Sequence, residues 1–173
     1  MSTTRRALIS LAAAALALTA VSTQAADMTY TATLNGAAQL PEATASKAEG
    51  TLRLTVSADG RQIEYQLTVT KLSNASGADI HLGSAFANGP LVVKMFPKQG
   101  GAQKKGEFSG VLAEGTITAD DLTGPLAGGG LADFIDQLKQ GNVYTNVHTN
   151  DGVDPPESGP GDYRLGEIRG QLK

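Results

Sequence analysis

The chain has no cysteine, and it has only two histidines among its 173 residues. Without cysteine it has no disulfide, no sulfur ligand for a metal ion and no thiol nucleophile. A chain of this length does not need a covalent cross-link, because a domain of about 150 residues buries about 68–70% of the surface that its unfolded chain exposes. The fold must therefore be stabilised by burial and hydrogen bonding alone.

Long hydrophobic runs are also scarce, and the one that exists lies at the N-terminus. Ala7 to Val21 carries no charge, follows the pair Arg5 and Arg6, and precedes a stretch of small residues. This order is typical of a secretory signal peptide. The run is shorter than the roughly 20 apolar residues that a membrane-spanning helix needs. We therefore expect no membrane span, and we expect cleavage after Ala25.

Cleavage after Ala25, with the bond after Ala26 as the alternative, divides the chain into a signal peptide, 1–25, and a single domain, 26–173. The start Thr4–Ile9 also resembles a twin-arginine export signal, but a general-secretory signal is the expectation. An exported protein without disulfides suits a bacterial periplasmic or secreted setting rather than an animal extracellular one.

Basic clusters are absent from the expected mature chain. Removal of Arg5 and Arg6 from the 14 basic residues leaves 12 against 17 acidic ones, a net charge of −5. The pair Lys104 and Lys105 stands alone. This pattern disfavours nucleic acid and anionic membrane surfaces as partners.

Alternation of apolar and polar residues with a period of two runs through the mature chain and predicts strands. The predicted strands cover 29–34, 51–56, 62–69, 78–82, 91–96, 107–113, 142–149 and 164–172. Asp59 and Gly60 supply a hairpin turn between the second and third. This many short antiparallel strands predict an all-β sandwich of two sheets, with an open barrel as the alternative.

One short helix interrupts the strands. Leu131, Phe134, Ile135 and Leu138 have the spacing of a single apolar helix face. Gly141 follows at a position that suits a C-terminal cap. We expect this helix to close one end of the sandwich, with its apolar stripe packed in the core rather than around a cofactor.

Both histidines lie on predicted strands whose polar residues share one face. Asp79 and His81 alternate with aliphatic residues, and so does His148. Two imidazoles and a carboxylate suit zinc or copper(II), so these three residues are the predicted metal ligands. Glu167 is predicted as a further ligand or as a partner of one.

Tyr144, Asn146 and Arg169 extend the same predicted face as a polar patch. The alternative interpretation of the whole face is an ordinary polar surface of a sheet. In that case the histidines are hydrogen-bonded to neighbours, and Glu167 pairs with Arg169 or with another strand.

Signatures of catalysis are missing from the sequence. There is no Gly-x-Ser-x-Gly elbow, and the glycine-rich stretches do not follow the phosphate-loop pattern. Two histidines are too few for the bridged copper and zinc ions of a superoxide dismutase. The acidic residues of the segment 151–162 suggest calcium as an alternative ligand, but their spacing fits no EF-hand. The sequence therefore predicts a protein that is not an enzyme.

Four segments together resemble the CHRD (chordin-type) domain family. They are Leu34–Pro41, Gly77–Val92 with its Asn-Gly-Pro turn, Tyr144–Thr149 with its Asn-Val-His-Thr run, and Gly166–Leu172 with its Gly-Glu-Ile-Arg-Gly-Gln run. The resemblance spans about 28–173. Two departures stand out, because the family's first histidine is Asp79 here and its usual acidic residue before Pro41 is Leu40.

The resemblance implies an exported bacterial member with an immunoglobulin-like sandwich, related in architecture to Cu/Zn superoxide dismutase, and without a well-established enzymatic activity. The leading expectation is an exported, non-catalytic binding or structural module whose partner is an unknown protein or surface ligand. The alternative is a periplasmic protein that binds copper or zinc through Asp79, His81 and His148. The partner and the oligomeric state stay open.

Overall fold

Antiparallel strands make up most of the computed structural model, which describes residues 27–98 and 101–173. The strands are β1 (Met28–Asn35), β2 (Glu49–Val56), β3 (Ile63–Leu82), β4 (Leu91–Phe96), β5 (Lys104–Ile117), β6 (Val143–Thr149) and β7 (Ile168–Gln171), with helix α1 (Leu131–Lys139) between β5 and β6. The expected signal peptide lies outside the described residues. Within them, no helix has the length and hydrophobicity to cross a membrane.

Strand β3 organises the sheet, because it is 20 residues long and pairs with four other strands. Its first half pairs with β2 and β5, and its second half pairs with β6 and β4. Between the halves, Lys71 and Asn74 have left-handed backbone, with φ of 53° and 52°. The pairing with β5 shifts register at both places. Such bulges bend a strand, so one strand serves both halves of the sheet.

The sequence predicted two separate strands, 62–69 and 78–82, where the structure has the single strand β3. The bulges at Lys71 and Asn74 explain the difference, because each extra residue resets the alternation of apolar and polar side chains. The predicted hairpin is confirmed: β2 and β3 are joined through Asp59 and Gly60, and Gly60 has a φ of 67°.

The sheet closes on itself as a small barrel. Its strands follow the order β2-β1-β7-β6-β3, and β3 pairs again with β2. The ring is completed where β1 pairs with β7, with Asn35 opposite Arg169. Near the C-terminus, two backbone hydrogen bonds of 2.9 and 3.1 Å also join Thr31 of β1 to Lys173. The all-β prediction with one short helix is confirmed. The immunoglobulin-like sandwich is not confirmed, because the bent β3 connects the strands in one closed path.

The apolar positions of the strands point into the barrel, and α1 packs its apolar face into the same core. Phe134 and Leu138 of the helix are 0% and 2% exposed. After the helix, Gly141 has a φ of 70° and its amide donates to the Leu138 carbonyl at 3.0 Å. The predicted helix and its glycine cap are therefore confirmed.

Replacement of Phe134 by alanine is expected to lower the free energy of unfolding by about 3–5 kcal/mol, because it opens a cavity in the core beneath the helix. Denaturant unfolding monitored by circular dichroism measures the change. Lys139→Ala, at the exposed end of the same helix, is the control and is expected to stay within about 0.5 kcal/mol. Equal effects of the two substitutions would contradict the packing of α1 against the barrel.

Candidate metal centre

Strands β3, β6 and β7 are neighbours and line up polar residues in rows across the outer face of the barrel. In one row, Asp79 lies opposite Asn146, which lies opposite Arg169. In the next row, His81 lies opposite Tyr144. Adjacent positions on the same strands, such as Ile80 and Val147, point into the core and are fully buried. The alternation predicted from the sequence therefore holds for these strands.

Two loops cover this outer face. Arg169 Nη2 donates to the backbone carbonyls of Ser84 and Ala87, at 2.9 and 3.3 Å, in the loop 83–90. Asn146 Nδ2 donates to the Leu165 carbonyl at 3.3 Å, in the loop 150–166. As a result Arg169 is only 1% exposed and Asn146 only 6%. The polar patch predicted from the sequence is a buried layer between the sheet and its loops.

Asp79, His81 and His148 come together within this layer. One potential ligand atom from each lies within 4.8 Å of the others. His148 Nε2 is 3.5 Å from Asp79 Oδ2. Donor atoms around a tetrahedral zinc ion stand about 3.4 Å apart, given bonds of about 2.0–2.2 Å. Separations of up to 4.8 Å are wider than this, so the donors must move closer together to coordinate one ion.

Backbone carbonyls hold both imidazoles in one tautomer. His81 Nδ1 lies 3.1 Å from the Gly89 carbonyl, and His148 Nδ1 lies 3.0 Å from the Arg164 carbonyl. A carbonyl oxygen only accepts hydrogen bonds, so each Nδ1 must carry the proton. On both rings Nδ1 therefore faces a backbone acceptor and Nε2 is the nitrogen left for another partner, which is the arrangement that outer hydrogen bonds impose on histidines bound to metals.

Two atoms at the centre of the group are buried without a hydrogen-bond partner, namely His81 Nε2 and Asp79 Oδ1. An unpaired buried polar group costs about 1–3 kcal/mol, and native proteins rarely leave one unsatisfied. Both atoms are acceptors, so a cation satisfies them together. The donor set therefore fits a metal ion.

Burial is the main cause that lowers the pKa of His81, with a smaller contribution from the positive charge of Arg169. The hydrogen bond to Gly89 and the charge of Asp79 act in the opposite direction but do not cancel the effect. His81 is thus held neutral at pH 7, with Nε2 free to bind a cation.

Tyr144 lies between His81 and Arg169 as the middle member of a stack. Its ring is 5.0 Å from the His81 ring at an interplanar angle of 12°, and the Arg169 guanidinium lies 3.9 Å from its centroid. The Tyr144 hydroxyl also accepts a hydrogen bond of 3.2 Å from the Gly89 amide. The stack fixes the plane of the His81 ring and partly compensates the buried charge of Arg169.

Three further residues position the histidines and were not identified from the sequence. Gly89 and Arg164 contribute only their carbonyls, and Gly77 lies opposite His148 on β3. A Cβ atom at Gly77 would stand 3.3 Å from His148 Cδ2, so glycine leaves room for that ring. The Asn88-Gly89-Pro90 turn was the one signal for these residues in the sequence.

Glu167 does not join the three candidate ligands. Its carboxylate is 1% exposed and accepts hydrogen bonds from Thr149 Oγ1 at 2.5 Å, Ser46 Oγ at 2.5 Å and the Gly161 amide at 2.8 Å. Strand β7 begins only at Ile168, so the face alternation assumed for Glu167 does not apply there. Its contacts anchor the loop 150–166 and the segment before β2, and no ion pair with Arg169 forms among the described residues.

The acidic residues of the loop 150–166 have structural partners. Asp162 accepts hydrogen bonds from the Ser158 amide and hydroxyl at 3.1 and 2.9 Å, and Asp154 lies 3.2 Å from Arg164. In the described part of the chain they form no cluster of metal-ligand geometry. The calcium alternative thus finds no support in the arrangement of this loop.

Comparison with known proteins agrees with the motifs that lie within residues 30–156. The model of the CHRD domain family matches residues 30–156, which is more than half of the chain. No curated protein and no solved structure shows a significant similarity to it. CHRD is a non-catalytic domain family whose members are typically extracellular. The resemblance inferred from the sequence is confirmed, and the chain belongs to the CHRD domain family.

Proposed function

We propose that this protein is an exported, non-catalytic binding module that holds a zinc or copper(II) ion at Asp79, His81 and His148. One observation carries the proposal: two imidazoles, each with its Nδ1 hydrogen bonded to a backbone carbonyl, present Nε2 beside a carboxylate in a largely buried layer. Such preorganisation is typical of metal sites.

The chemistry of the donors supports zinc and copper(II). Imidazole nitrogen and carboxylate oxygen are suitable ligands for both ions. Asp79 stands where the family pattern has a histidine, and its oxygen donor makes the site harder, which disfavours copper(I). Three protein donors leave at least one coordination position for water or an external ligand. The side chains of His148 and Asp79 remain 20% and 12% exposed, so solvent reaches the group.

An ordinary polar sheet face accounts less well for the same residues. Its buried groups would be expected to satisfy one another, whereas His81 Nε2 and Asp79 Oδ1 have no hydrogen-bond partner. Arg169 Nε and Gln171 Oε1 are unpaired as well, so the support for an ion is that the first two atoms belong to one group of potential ligands. Glu167 illustrates the contrast, because it is equally part of the buried polar layer and accepts three hydrogen bonds. The difference supports a ligand role for Asp79 and a structural role for Glu167.

Export is the second half of the proposal. It rests on the order of charged, apolar and small residues in 1–26 and on the typical extracellular setting of CHRD domains. A metal site without cysteine suits an oxidising compartment, because imidazole and carboxylate ligands are not lost to disulfide formation.

Zinc or copper(II) is expected to stabilise the purified protein. At about a thousand times the dissociation constant, a ligand that binds only the native state adds about 4.1 kcal/mol. For a domain of this size that corresponds to a rise in Tm of about 8–16 °C. Differential scanning calorimetry of protein stripped of metal, before and after addition of each ion, measures this rise in Tm.

Matched variants locate the site. His81→Ala combined with His148→Ala is expected to abolish the rise in Tm, and Asp79→Asn to weaken zinc binding at least tenfold in calorimetric titration. Glu64→Gln on β3 is the control, because it alters an exposed carboxylate outside the proposed site, and its zinc affinity is expected to stay within about twofold. A wild-type protein whose Tm is unmoved by either ion contradicts the proposal.

The lowered pKa of His81 predicts how the metal-free protein responds to acid. The unfolded chain takes up a proton near pH 6.5, whereas folded His81 does so only at lower pH. Stability is therefore complete above about pH 6.5 and falls as the pH drops towards the lowered pKa. His81→Gln should reduce this fall in Tm between pH 7.5 and 5, whereas an unchanged fall would show that other groups cause it.

Metal binding is also expected to rigidify both loops. Gly89 and Arg164 are hydrogen bonded to the two proposed imidazole ligands, so an ion that fixes the rings holds these carbonyls in place. Hydrogen–deuterium exchange is predicted to slow on addition of zinc within 83–90 and 163–166. The amides of β2 serve as the internal reference, since β2 pairs with the first half of β3 and not with the half that carries Asp79 and His81, so their exchange should not change.

A further inference from the structure

Exposed apolar side chains are concentrated on the two loops that cover the metal centre. Phe86 is 92% exposed, Leu165 80% and Val153 63%, which are the three highest values for large apolar residues in the described part of the chain. Single exposed apolar residues are common on soluble proteins, but a group of them marks an interaction surface.

Hydrogen bonds hold the loops of Phe86 and Leu165 on the same outer face of the sheet. Phe86 precedes Ala87, whose carbonyl accepts a hydrogen bond from Arg169. The Leu165 carbonyl accepts a hydrogen bond from Asn146. Asn146 and Arg169 are directly opposite on β6 and β7, and such pairs have Cα atoms about 4.5–5.5 Å apart. The two loops are therefore bonded to neighbouring residues of the sheet.

A hydrogen bond also links Val153 to the residue that precedes Leu165. The Val153 carbonyl accepts a 2.8 Å hydrogen bond from Arg164 Nη2, and Arg164 immediately precedes Leu165. We call Phe86, Val153 and Leu165 the loop patch.

The surroundings of the loop patch are acidic. Asp151, Asp154 and Glu157 are all exposed, and the side chain of Asp154 is 83% exposed. Arg164 is the one basic residue of the segment 150–166, and it lies within 4.0 Å of carboxylates of Asp154 and Asp162. The loop 83–90 has no charged residue. A ligand of the loop patch therefore meets apolar surface within a negative field.

We infer that the loop patch docks a segment of a partner protein in which basic residues alternate or mix with apolar ones. Charge complementarity selects this occupant. A second copy of the chain would bring the same acidic loop against its own, and an anionic membrane would be repelled by the net charge of −5 expected for the mature chain. The inference goes beyond metal binding and does not require it.

Selection from a phage-displayed library of random dodecapeptides tests the inference. The mature wild-type protein is the target, and the double variant Phe86→Ser, Leu165→Ser is used to remove peptides that bind elsewhere. Both positions are exposed, so the double variant is expected to keep its stability within about 0.5 kcal/mol per site. The enriched peptides are expected to carry net positive charge and apolar residues.

One enriched peptide, synthesised with a fluorescein label, gives the affinity by fluorescence polarisation. The double variant is expected to bind it at least tenfold more weakly, and Phe86→Ser alone several-fold more weakly. Val111→Ser on β5, at a residue 45% exposed and remote from the loops, is the control and should stay within about twofold. Binding should weaken at about 1 M salt, where the Debye length is about 3 Å.

Failure to enrich peptides over the double variant overturns the inference, and so does enrichment of acidic peptides. An equal loss of peptide affinity in Val111→Ser and in the double variant also overturns the inference. A dimer of the wild type in sedimentation that is absent from the double variant would assign the loop patch to a second copy instead. Zinc titration of the double variant, run in parallel, separates the two proposals, because its zinc affinity is expected to be unchanged whether or not peptides bind.

Discussion

The backbone pairing of β3 is the constraint on which the rest of the molecule depends. One continuous strand pairs with β2 and β5 in its first half and with β6 and β4 in its second. The left-handed residues Lys71 and Asn74 lie between the halves, where they bend the strand and let the sheet close as a barrel. The second half carries Asp79 and His81 on the outside while Ile80 fills the core, so core packing and site geometry are fixed by the same register.

Burial of polar groups against the outside of a barrel is costly unless each group is paired. Here the carbonyls of the two loops offset the desolvation penalty, because they accept hydrogen bonds from Arg169, Asn146 and the two histidines. The same bonds choose the histidine tautomer. The loops therefore both limit the contact of the site with solvent and determine which ring nitrogen is free, and they carry exposed apolar side chains on their outer surface.

The two buried carboxylates of this region, Glu167 and Asp79, differ in how many hydrogen-bond donors surround them and therefore in their ability to bind a metal ion. Glu167 has three hydrogen-bond donors around it, from Ser46, Thr149 and Gly161, and its negative charge is thereby stabilised as part of the fold. Asp79 has His148 at 3.5 Å and one oxygen without a partner. A carboxylate that is fully hydrogen bonded has no free acceptor for a metal ion, whereas Asp79 keeps one beside two imidazoles.

Local patterns in the chain were enough to predict most of the strands, the helix over Leu131–Lys139 with its glycine cap, the family, and the shared face of Asp79, His81 and His148, but not the continuity of β3 or the late start of β7. These features follow from local periodicity and short motifs, which are properties of neighbouring residues. Only the tertiary structure decided that the sheet closes as a barrel and that Glu167 is separated from the histidines. Closure depends on pairing residues as distant as Asn35 and Arg169, and Glu167 lies just before β7 begins, where no strand periodicity constrains its side chain.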